Sequence, residues 1–269
     1  MISDITFGQY FPVNSAVHKA DPRTKLLLLI AFIVFVFVSN NVFSLGIMLA
    51  FLLVLMAISK IPFKMYMKNL KTILPIIIFT SALNALYVNT GTPLFDWWII
   101  HITTDGLLRA LFMSLRIGML ILASAMLSYS TTPTDLTNGM ENLLKPLNHL
   151  GLKSAIHTMA MTMTIALRFI PTLIEETGKI MNAQKARGAD MESGGLIKRV
   201  KALLPILIPL LISSVRRAYD LAEAMECRCY NGGEGRTRFQ IMKYKPVDLY
   251  ALVLFILVCA GALTLNILF

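Results

Sequence analysis

Arg187 and Arg228 stand in the same local pattern, 41 residues apart in a chain of 269. Each closes a six-residue stretch, "AQKARG" from Ala183 and "AMECRC" from Ala224, that reads Ala, any residue, a charged residue, a small residue, Arg, a small residue. A guanidinium holds five N–H donors in a rigid plane and reads carboxylates or carbonyls in pairs. The small neighbours Ala186, Gly188, Cys227 and Cys229 would let a helix end approach another backbone closely. An arginine in the last helical turn also complements the negative end of the helix dipole, and Gly188 suits a helix stop. That alone would describe a solvent-facing helix end, but two copies of the pattern point to a pair of similar sockets.

Other candidate chemistry is thin. There is no Gly-x-x-x-x-Gly-Lys-Ser/Thr loop, so ATP chemistry would have to come from another chain. Cys227 and Cys229 form a pair with no second pair and no nearby histidine, so no metal site, cofactor or catalytic group is expected. The methionine-rich run "HTMAMTMT" from His157 reads as adaptable packing rather than a soft-metal site. The adjacent Glu175 and Glu176 lack the partners of an intramembrane protease. Arg109 and Arg116 lie seven apart on one helix face, and Arg116 is expected as an intramembrane charge, deeper by about 10 Å at ~1.5 Å per residue. It would hydrogen-bond helix carbonyls or another subunit.

The elements that must hold these residues are membrane helices. The chain is 56% hydrophobic and 15% charged, which places it outside the ordinary soluble class. Apolar blocks cover residues 26–38, 42–58, 72–88, 107–129 and 247 onward, against the roughly 20 residues a span needs. The expected fold is an all-α integral membrane protein with about five transmembrane helices. Its domains are an N-terminal membrane domain over 1–130, a cytoplasmic coupling domain over 131–244 and a C-terminal transmembrane helix over 245–269. Excess basic charge stays in the cytoplasm, and of the 25 lysines and arginines only Arg109 and Arg116 fall outside that side in this arrangement. The expected location is the cell membrane, multi-pass, with a cytoplasmic N-terminus and an extracellular C-terminus. Residues 154–174 and 202–215 are flanked by basic residues at both ends, so both read as amphipathic helices lying against or under the membrane. Residues 153–187, helical throughout, would be roughly 50 Å long, enough to reach from the membrane down to a partner. Gly194 and Gly195 in "ESGG" suggest a hinge between the two long helices. The basic surface suits anionic lipid and acidic partners and does not call for nucleic acid.

The arginine tips "ARG" and "CRCYNGG", with the entry segment "GQYFPVNSAVHKADPRTKL" from Gly8, resemble the transmembrane T component of energy-coupling factor transporters, the EcfT/CbiQ family. The resemblance covers essentially the whole chain. It implies that Ala186, Arg187 and Gly188 dock in a groove of one ABC-type ATPase subunit. Cys227, Arg228 and Cys229 would dock in a second, with cysteines where the family has Ala and Gly. It further implies one or more membrane-embedded, substrate-binding S components, reoriented for vitamin or metal uptake by ATP-driven movement of the two helices. The rival reading from composition is a stand-alone secondary carrier or channel. The absence of acidic residues from the span cores counts against a proton-coupled carrier.

Overall fold

The computed structural model describes residues 10–39, 41–87, 93–97, 100–146, 151, 153–189, 195–232 and 242–268. Nine α-helices occupy most of these: α1 (Ala16–Lys19), α2 (Pro22–Val38), α3 (Val42–Ser59), α4 (Phe63–Tyr87), α5 (Thr104–Ser130), α6 (Pro133–Leu144), α7 (Lys153–Ala186), α8 (Leu196–Cys227) and α9 (Pro246–Leu268). The chain is an all-α membrane protein with one addition that hydropathy did not signal. Between α4 and α5, β1 (Pro93–Trp97) and β2 (Ile100–Thr103) pair antiparallel, with Trp97 opposite Ile100 and Asp96 opposite His101.

Five helices are long and apolar enough to cross a membrane: Val42–Ser59, Phe63–Leu86, Thr104–Ser130, Lys201–Cys227 and Pro246–Asn266. The number matches the sequence expectation and the set does not. At 17 residues α2 is shorter than any of the five, whereas the apolar residues 202–215 raise the average of α8 despite its Pro205 and Pro209. The chain divides into two compact units, residues 8–140 with 241–269, and residues 141–240 with the N-terminal seven. The inner boundary thus falls within α6, not at its start.

In the first unit α2, α3, α5 and α9 share one core. Phe32, Val36, Leu45, Met48, Leu52, Met119, Phe255 and Cys259 are all buried in it. Aromatic edges lock its layers, Phe35 onto Phe255 at 6.1 Å and Tyr66 onto Tyr129 at 5.6 Å between ring centres.

Local chemistry explains where these helices begin. Asp21 accepts from the Arg23 amide at 2.9 Å and Pro22 supplies the first helical residue, as "DPRTK" led one to expect. Buried Asp248 joins two helix starts, its carboxylate accepting from the Asp21 amide and from the Lys245 amide, each at 2.7 Å. Lys25 is not a headgroup anchor. Its Nζ donates to the Ser130 carbonyl at 2.9 Å and the Thr131 hydroxyl at 3.2 Å, which satisfies the carbonyl end of α5. Gly139 lets α6 pass close to the start of α2, since a Cβ there would lie 3.1 Å from Pro22 Cβ.

Candidate functional site

Both arginine tips end in the same backbone device. In α7 the last helical residue is Ala186, Gly188 turns left-handed at φ 85°, and the chain folds back. The Ala189 amide donates to the Gln184 carbonyl at 3.0 Å, and the Gly188 amide to the Lys185 carbonyl at 3.0 Å. This paired 6→1 and 5→2 bonding is a Schellman cap. In α8 the positions correspond one for one. The Tyr230 amide donates to the Met225 carbonyl at 3.0 Å, the Cys229 amide to the Glu226 carbonyl at 2.8 Å, and Cys229 takes φ 54°. Cysteine therefore makes the turn that glycine makes at the first tip, at the steric cost of a Cβ in the left-handed region. Arg187 and Arg228 each occupy the C-cap position itself, and both side chains are exposed, as are Ala186, Gly188, Cys227 and Cys229.

Contacts between α7 and α8 fix where the two tips lie. Tyr230 donates its hydroxyl to Met161 Sδ at 2.8 Å, Arg217 Nη2 to Glu176 Oε2 at 2.9 Å, and Gln184 Nε2 to the Pro205 carbonyl at 3.4 Å. As the position in α7 rises, its partner in α8 falls, so the helices are antiparallel. Arg228 therefore sits beside the Met161 end of α7 and Arg187 at the other. Along α7 that is 26 residues, or about 40 Å at ~1.5 Å per residue. Two long helices running side by side toward one partner would have put both tips together. The observed pairing sends them to opposite ends.

A cleft of about 330 Å³ opens beside Arg228, lined by Glu141, His157, Met161, Thr164, Met225 and Tyr230 among others. His157 Nε2 is buried there with no hydrogen-bond partner. Midway along the pair, Glu176 accepts from Ser213 Oγ as well as from Arg217, and Arg217 also lies over the Phe169 ring at 5.9 Å. Sequence reading weighed Glu176 only as half of a protease-like pair and passed over Arg217. A usable signal existed, because Glu176 and Arg217 are themselves 41 residues apart, the spacing of the two tips.

Of the remaining expected positions, Gly195 is the N-cap of α8, while Gly194 lies outside the described residues. Arg116 is not a charge adrift in the middle of the bundle. Its Nη2 donates to the Ser39 carbonyl at 2.7 Å, and its guanidinium lies 5.6 Å from the Phe37 ring centre. Ser39 ends α2, and at that same end Asn41 reaches the Leu265 carbonyl and Asn266 the Val38 carbonyl. The guanidinium thus lies where α2 and α9 stop, serving the orphan carbonyls and negative dipole of α2. Depth counted along the 27-residue α5 misplaced it because α2 is 10 residues shorter. Among the described residues no group of three or more His, Cys, Asp or Glu is placed to hold a metal ion.

Comparison with known proteins gives this arrangement a context. The model of the CbiQ family, described as cobalt transport protein, matches residues 13–239. An energy-coupling factor transporter transmembrane protein EcfT from Clostridium kluyveri is 47% identical over 267 residues, covering 98% of each chain. The EcfT of Acidaminococcus fermentans is 46% identical over 261 residues and 96% of each chain, and that of Bacillus subtilis 42% over 260 residues and 97% of each. With the family model matching most of its length and these relatives aligning nearly end to end, the chain belongs to the EcfT/CbiQ family of multi-pass transmembrane proteins of energy-coupling factor transporters.

Proposed function

We propose that this chain is the mechanical link of an ATP-driven uptake system, joining two ABC-type ATPase subunits to a membrane-embedded, substrate-binding S component. Arg187, between Ala186 and Gly188, docks in a groove of one ATPase, and Arg228, between Cys227 and Cys229, docks in the equivalent groove of the other. The observation that carries this reading is the repetition of one capped, exposed arginine tip at opposite ends of an antiparallel helix pair. Two identical devices about 40 Å apart suit two separate sockets far better than one.

A guanidinium at a C-cap, with only small side chains beside it, presents all its donors forward to carboxylates or carbonyls. ATP-driven closure of the ATPases then moves the two tips, and α7 and α8 pass that movement to the S component, which carries specificity for the vitamin or metal ion. The positive-inside arrangement puts the N-terminus and the tips in the cytoplasm and the C-terminus outside. Purification of the chain from its native membrane in mild detergent tests this. Two P-loop ATPases and one or more small hydrophobic proteins should accompany it. A chain recovered alone and transporting in liposomes without ATP would refute the reading in favour of a self-sufficient carrier.

A further inference from the structure

We infer that Glu176 and Arg217 form the pivot about which α7 and α8 turn, positioning both arginine tips at once. The inference rests on the coupling role proposed above and adds the point at which the two arms are joined. Glu176 stands 11 residues before Arg187, and Arg217 stands 11 residues before Arg228. At ~1.5 Å per residue each arm is about 16 Å long, so the contact is equidistant from the two tips.

The 41-residue offset that superimposes one tip on the other also superimposes Glu176 on Arg217. In an antiparallel pair, a contact between equivalent positions marks a local two-fold axis. The neighbouring contacts obey it. Moved by the same offset, Gln184 and Pro205 become Met225 and Thr164, and both of these line the cleft beside Arg228. At the axis the contacts are polar and directional. Glu176 accepts from Arg217 Nη2 at 2.9 Å and from Ser213 Oγ, while the Phe169 ring holds the other face of the guanidinium. Away from it, the contacts are the long Gln184 bond at 3.4 Å and the adaptable Met161 sulfur. A joint that is stiff at the centre and soft along the arms lets the arms change angle without parting, so that motion at one tip is matched at the other.

The test uses the full complex of this chain, its ATPases and an S component in vesicles, with Cys227, Cys229 and Cys259 replaced. One variant carries Glu176→Cys with Arg217→Cys at the crossing, and a second carries Gln184→Cys with Pro205→Cys on an arm. Each pair is joined by a short reducible thiol cross-linker, and uptake per ATP hydrolysed is measured before linking, after linking and after reduction. Linking the crossing should leave uptake within about threefold of the cysteine-free complex. Linking the arm should lower it by at least about tenfold, reversibly, because it stops the change of angle. Equal loss from both links, or loss confined to the crossing, would overturn the pivot. Retention of the ATPases is read on every sample before linking. Their absence from the unmodified complex would refute the docking reading itself, whereas their presence with no difference between the links refutes only the pivot.

Discussion

Cys229 offers a sharp test of how the second tip is built. It holds φ 54° at the position that Gly188 occupies at the first tip with φ 85°. A side-chain-bearing residue in the left-handed region costs roughly 1–2 kcal/mol, and glycine returns about 0.5–1 kcal/mol of that through its greater freedom in the unfolded chain. Cys229→Gly should therefore stabilise the capped tip by about 1 kcal/mol, roughly a fivefold gain in the closed over the frayed conformation. Gly188→Ala should do the reverse at the first tip by a similar amount, about fivefold. Hydrogen exchange of the amides that close the caps, Gly188 and Ala189 at one end and position 229 and Tyr230 at the other, reads these populations directly. Exchange should slow about fivefold at the second tip in Cys229→Gly and quicken about fivefold at the first in Gly188→Ala, with the middle of each helix unchanged. Faster exchange in Cys229→Gly would refute the equivalence of the two caps.

Three further outcomes follow from contacts in the membrane unit. Asp248→Ala removes the acceptor of two amides and should lower stability by about 2–3 kcal/mol, with Asp248→Asn intermediate, in thermal unfolding of the detergent-solubilised protein. Arg116→Leu strips the Ser39 carbonyl of its donor and should cost about 1–3 kcal/mol in the same assay, and hydrogen exchange should quicken at the end of α2 more than at its start. His18 has its pKa lowered from 6.5, chiefly by burial. Its neutral ring is held between Phe11 O at 2.9 Å and Ser15 Oγ at 2.7 Å. Because the unfolded chain takes up the proton first, its contribution is complete above pH 6.5 and is lost as pH falls through the lower folded value. His18→Gln should flatten the pH dependence of the melting temperature over that range.

Much of this molecule is legible in its sequence because the signals are local. Asp21 and Pro22 announce the start of α2, the apolar blocks announce the helices of the first unit, and the repeated arginine pattern marks both tips and the family. What escaped depends on how helices of different length line up. Arg116 looks deep when counted along α5 and is shallow when measured against α2. The opposite placement of Arg187 and Arg228 depends on the antiparallel pairing of α7 and α8, which no property of either helix reveals. Cys229 had to be seen in its left-handed turn before it could stand for glycine. The β1–β2 ribbon hid in a stretch noted only for its lack of Lys and Arg. Residues 202–215 show the limit of hydropathy, since α8 has the composition of a span while carrying "KRVK" before its apolar half and "RR" after it.

Charge reversal at both tips tests the account most directly. Arg187→Glu with Arg228→Glu leaves the Schellman caps, the membrane unit and the pairing of α7 with α8 intact, and changes only what the tips present. The doubly altered chain, purified from membranes beside the unaltered one, should reach the membrane in normal amount and lose both ATPases, with each single reversal retaining part. Recovery of the ATPases in normal amount with the double variant would contradict the docking role of the arginines.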